Sequence, residues 1–85
     1  MKPSPDVLCQ EVEGELVLLD AESDRYFSLD EVGGRIWALL GDYDGDVERV
    51  VAAMLEEFDV DETTLRRDID ALLGQLRDAG LLAAA

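Results

Sequence analysis

The sequence predicts an α+β fold, a three-stranded antiparallel sheet followed by three helices, close in content to a winged helix-turn-helix. Short β-prone runs separated by turn residues fill positions 7–29, and after Leu29 the apolar spacing becomes helical. The length of 85 residues suits one domain spanning 1–85. A chain this short buries only ~60% of its unfolded surface, so the core is small. Hydrophobic residues make up 48% of the chain, which argues for folding despite a formal net charge of −14.

Pro3 and Pro5 make residues 1–6 a loose tail, because proline cannot donate to a sheet ladder. Val7–Val12 and Glu15–Leu19 read as strands joined by a tight turn at Glu13-Gly14. A second turn, Asp20–Asp24, leads into a third strand, Arg25–Leu29, whose Tyr26 and Phe27 suit a pleated, half-buried surface. Consecutive strands with short connections form a meander, which leaves the third strand at an edge.

Val32, Ile36, Leu39 and Leu40 form one stripe of a first helix with Gly41 as its C-cap, and both Asp30 and Ser28 are N-cap candidates. Gly33 and Gly34 each cost that helix ~1 kcal/mol relative to Ala, a cost explained by close packing of this turn against another backbone. A second helix runs from Val47 to Phe58 behind Asp46, with Val47, Val50, Val51, Met54, Leu55 and Phe58 inward. A third opens near Asp61 and runs to Ala79, with Gly80 beyond it and an apolar stripe of Leu65, Ile69, Leu72, Leu73 and Leu76. The closing residues 83–85 fray.

The composition removes several function classes. With 21 Asp and Glu against 7 Lys and Arg, the chain repels nucleic acid and anionic membrane. Arg66, Arg67 and Arg77 are diluted by Glu62, Asp68, Asp70 and Asp78, so the third helix carries no basic stripe for DNA. There is no histidine, hence no usual general base, and Cys9 stands alone as a structural thiol. Residues 20–31 place Asp20, Glu22, Asp24 and Glu31 at calcium-loop spacing, but Arg25 occupies the position that needs glycine. An acyl carrier site fails as well, since Phe27 precedes Ser28-Leu29 and strands precede the helices. No cofactor is expected. The amino terminus lacks a signal-peptide run and no segment reaches the ~20 apolar residues of a membrane span, so a cytoplasmic protein is expected.

Two binding surfaces remain. The edge strand Arg25–Leu29 offers backbone groups to an extended peptide, and the third helix has more large apolar positions than a small core hides. On periodicity alone, the alternative that the tail covers the edge and the helix only packs the core stays open.

The residues that decide the matter are the three-strand opening, "YFSLDEVGGRIWALLGDYDG" from Tyr26 to Gly45, "EEFDV" after the second helix, and Asp68-Ile69 with Leu72, Leu73, Leu76, Gly80 and Leu81. In this order they resemble the PqqD-like recognition domains that bind leader peptides of ribosomally made, post-translationally modified peptides, and most of all the lasso-peptide B1 proteins. The resemblance implies a non-catalytic protein on which the leader of a lasso precursor adds as a strand. The docking strand is then Arg25, Tyr26, Phe27, Ser28 and Leu29, and the opposing wall is drawn from Leu65, Arg66, Ile69, Leu72, Leu73 and Leu76. It further implies a separate B2-type cysteine protease and an ATP-dependent lasso cyclase as partners. The runners-up are a PqqD-type peptide chaperone serving a different modifying enzyme and an acidic winged-helix regulatory or interaction module.

Overall fold

The computed structural model describes residues 2–21 and 24–83. Strands β2 (Val7–Val12), β3 (Glu15–Asp20) and β4 (Arg25–Leu29) form an antiparallel sheet in the order β2-β3-β4, followed by helices α1 (Glu31–Asp42), α2 (Val47–Glu57) and α3 (Glu62–Asp78). This is the expected α+β architecture, with the third predicted strand, β4, at an edge. Glu13 and Gly14 both adopt positive φ, 51° and 85°, the two-residue turn whose twist matches that of its flanking strands. That turn fixes Val12 opposite Glu15, and the register continues to Val7 opposite Asp20. On the other side Leu16 faces Leu29 and Asp20 faces Arg25. Between them Asp24 takes φ 57° and its N–H donates to the Asp20 carbonyl at 2.9 Å; Glu22 and Ser23 of the predicted turn lie outside the described residues.

The amino-terminal segment corrects the expectation of a loose tail over residues 1–6. Lys2–Pro3 (β1) pairs antiparallel with Leu82–Ala83 (β5), and the Ser4 N–H donates to the Leu81 carbonyl at 3.0 Å. The physical reason is Leu81. It is buried with Trp37 and Leu76, so it draws the carboxy-terminal segment back over the fold and gives the amino terminus a partner. Ala83, expected to fray, is therefore in a strand, while Ala84 and Ala85 lie outside the described residues.

Each helix starts on an aspartate whose carboxylate accepts a backbone N–H of the first turn: Asp30 from Gly33 at 2.7 Å, Asp46 from Arg49 at 3.3 Å, Asp61 from Thr64 at 3.0 Å. Asp30 rather than Ser28 is thus the cap of α1. That helix runs past Gly41 to Tyr43, because the left-handed pair Asp44-Gly45 supplies the stop, with the Gly45 N–H on the Leu40 carbonyl at 2.8 Å. At the end of α3, Gly80 takes φ 77° and the Leu81 N–H reaches the Leu76 carbonyl at 2.9 Å.

The core has two parts. Ile36, Leu39 and Leu40 of α1 pack with Val50, Val51 and Met54 of α2 and with Leu65 and Ile69 of α3. Beneath the sheet, Leu18 and Leu29 pack with Trp37, Leu76 and Leu81. Leu72 touches both clusters. Trp37, which lies off the predicted stripe, is buried, whereas Val32, placed on that stripe, is exposed. Of the α1 glycines, Gly33 sits where space is short, Gly34 has an ordinary contact to its neighbour and Gly41 faces open space. A Cβ at Gly34 would lie 3.4 Å from the Leu16 Cβ, and one at Gly33 would lie 3.2 Å from Asp30 Oδ1, so the neighbours are side-chain atoms rather than backbone.

Candidate functional site

The outer edge of β4 has no strand beside it among the described residues. Its outward backbone groups follow from the hairpin. A two-residue turn makes Val12 and Glu15 a hydrogen-bonded pair, and such pairs alternate along an antiparallel ladder. On β3, residues 15, 17 and 19 therefore bond to β2, and residues 16, 18 and 20 bond to β4. Their partners Leu29, Phe27 and Arg25 spend their backbone groups inward, which leaves the N–H and C=O of Tyr26 and Ser28 pointing out of the sheet.

Side chains alternate the other way. Tyr26 and Ser28 stand on the face away from the helices, where Tyr26 is 75% exposed beside Leu8, Val17 and Leu19. Phe27 and Leu29 turn inward and form one wall of a groove of about 490 Å³. The facing walls are Val32, Gly33 and Ile36 of α1 and Asp68, Leu72 and Gln75 of α3, so the groove runs along the open strand edge. Strand edge and apolar trench share one line. An extended segment laid there meets ladder donors and acceptors on one side and side-chain pockets on the other.

The rim is acidic. Glu15, Asp30 and Asp68 line the groove, with no lysine or arginine among its lining residues. Glu15 Oε2 accepts from the Ser28 hydroxyl at 2.9 Å, and Asp30 is engaged in capping α1.

The expected site residues fall into three groups. Phe27, Ser28, Leu29 and Leu72 line the groove, while Arg25 and Tyr26 belong to the same strand outside it. Leu65, Ile69 and Leu76 are buried in the core, and Leu73 packs against the helical cluster. Arg66 points to another surface, where its guanidinium meets Glu48 at 2.8 Å and Glu62 at 3.0 Å. Hydrogen bonds to Glu48 and then Glu62 raise its pKa above the ordinary arginine value, which ties it to α2 rather than to the strand edge.

Sequence reasoning missed Glu15, Asp30, Val32, Gly33, Ile36, Asp68 and Gln75 as lining residues. One signal was present. Asp68, Leu72 and Gln75 follow the i, i+4, i+7 rule and make a face adjacent to the core stripe of Leu65, Ile69, Leu72 and Leu76, with Leu72 shared between them.

Among the described residues, no group of His, Cys, Asp or Glu is placed to hold a metal ion, and no helix is long and apolar enough to cross a membrane.

Comparison with known proteins gives the geometry a context. The sequence profile of the family described as Coenzyme PQQ synthesis protein D (PqqD) matches residues 15–82. Among solved structures, TbiB1 in complex with the TbiA(beta) leader peptide is 38% identical with a TM-score of 0.87, covering 100% of this chain and 98% of that one. Lasso peptide synthetase B1 complexed with the leader peptide is 26% identical with a TM-score of 0.84, covering 98% and 96%. No curated protein sequence matches the chain.

Proposed function

Because the chain belongs to the PqqD family, we propose that it recognises the leader of a lasso-peptide precursor by adding it as a fourth strand on β4. The observation that carries this reading is the groove along the open edge of Arg25–Leu29, in a fold shared over its whole length with chains solved with leader peptides. The backbone of Tyr26 and Ser28 sets the register of the guest, and pockets beside Phe27, Val32, Ile36 and Leu72 choose its side chains. Leu65, Arg66, Ile69, Leu73 and Leu76 act behind this surface, by holding α3 in place.

The role is recognition without catalysis. The chain has no histidine, and Cys9 is an exposed thiol on β2, away from the groove. The bound precursor passes to a separate B2-type cysteine protease and then to the cyclase, in the cytoplasm. The family profile equally favours a peptide chaperone for another modifying enzyme as the second reading, and the enzymes encoded beside the chain discriminate the two.

The test is a calorimetric titration of the chain with the synthetic leader of the precursor encoded beside it, without the core peptide. Saturable binding is the expected result. No measurable heat or fluorescence change at high micromolar concentration overturns the proposal.

A further inference from the structure

A second groove of about 460 Å³ lies on the opposite flank of the α1 amino terminus, and strand addition alone leaves it unused. Its floor is apolar, made by Leu16, Gly34, Ala38 and the half-buried Phe58. Its rim carries Glu11, Glu31 and the pair Arg35 and Glu57. Arg35 is already engaged: its Nε donates to both Glu57 carboxylate oxygens at 3.0 Å. Those hydrogen bonds raise the Arg35 pKa above the ordinary arginine value. Glu11 and Glu31 make no ion pair among the described residues.

The two grooves meet, for Glu15 and Asp30 line both. A guest strand that ran along β4 past Leu29 would leave the first groove beside these residues, where the second begins. We propose that the second groove holds a lysine or arginine side chain from the flank of the same peptide. Its aliphatic stem lies on Leu16, Ala38 and Phe58, and its charged head sits between Glu11 and Glu31. Charge complementarity selects this occupant, since an acidic flank meets like charge and an apolar one leaves both carboxylates without a counterion. The inference rests on the strand-addition reading and adds to it a specificity position outside the paired strand.

The test is a display library in which the precursor leader of the preceding titration carries randomised residues at both flanks. It is selected on the wild-type chain and on the double variant Glu11→Gln, Glu31→Gln. Both substituted side chains are exposed, so the fold and the β4 groove are retained, which binding of the unextended leader verifies. With the wild type, Lys and Arg are enriched about fivefold at one flank position, the size of a partly exposed ion pair. With the double variant the enrichment disappears. Binding of the leader with no basic enrichment overturns the inference alone, as does enrichment that survives in the double variant. Failure of the unextended leader to bind overturns strand addition and this inference together.

Discussion

At the β2 edge every residue after Val7 is exposed, so both faces of that strand meet solvent, whereas at the β4 edge Phe27 and Leu29 lie against the helices. Both edges offer unpaired backbone groups of the same kind. The same ladder alternation that turns Tyr26 and Ser28 outward on β4 turns Cys9 and Glu11 outward on β2, and also Val7, whose N–H is taken by the Ser4 carbonyl at 3.3 Å. An edge by itself is only a place where any extended chain can pair, without choice. The β4 edge differs because α1 and α3 stand beside it and line a groove along it. If a leader adds to β4 as proposed, selectivity lives in the helices and affinity is shared with the strand.

The largest expected effect separates the two edges directly. Tyr26→Pro removes an outward N–H from β4 without touching the β3 ladder, and Cys9→Pro does the same on β2. Tyr26→Pro is expected to weaken leader binding by about tenfold to a hundredfold, the range of a lost hydrogen bond with an unsatisfied partner, and Cys9→Pro to leave it unchanged. Phe27→Pro is the informative third variant, because its N–H faces β3 and its loss is expected to appear in circular dichroism as a melted sheet. Equal loss of binding at Tyr26 and Cys9, with the fold retained, sinks the assignment of the guest to β4.

A second pair tests the trench rather than the backbone. Val32 and Val12 are similarly exposed, at 39% and 44%, yet Val32 lines the β4 groove and Val12 ends β2. Val32→Asp places a desolvated carboxylate in the groove and is expected to reduce affinity about tenfold, while Val12→Asp has no effect. Thermal midpoints of the two variants should stay close, since neither residue belongs to the core. If Val12→Asp costs as much, the hairpin is part of the binding surface.

Much of this was legible in the sequence, and the failures have physical causes. Strand order, the edge position of Arg25–Leu29 and the Asp46 cap follow from local chemistry, namely turn residues and period, whereas the choice of Asp30 over Ser28 needed the structure. The site needed more, because a stripe such as Leu65, Ile69, Leu72, Leu73 and Leu76 marks apolar positions without saying what covers them. The fold spends Leu65, Ile69 and Leu76 on the core and leaves Leu72 at the trench. Asp68 and Gln75 escaped because polar lining residues have no hydrophobic signature. Pairing of β1 with β5 was invisible for another reason. It joins residues about 80 positions apart, and no local rule reports a contact of that range.

The smallest effect concerns how α1 comes to stand so near the sheet. Gly34 faces Leu16 of β3, and a methyl there meets the Leu16 Cβ at 3.4 Å, an ordinary contact that requires no movement of the helix. Replacing glycine inside a helix by alanine favours folding by up to ~1 kcal/mol. Gly34→Ala is therefore expected to raise the thermal midpoint by about 4–8 °C for a domain of this size, with strand addition on β4 unchanged. Gly33→Ala should gain less or lose stability, since its methyl would crowd Asp30 Oδ1 at 3.2 Å and strain the cap that starts the helix. A falling midpoint for Gly34→Ala would mean that α1 is seated against β3 with no room for a methyl, so that glycine itself holds the helix beside the β4 edge and keeps the trench open.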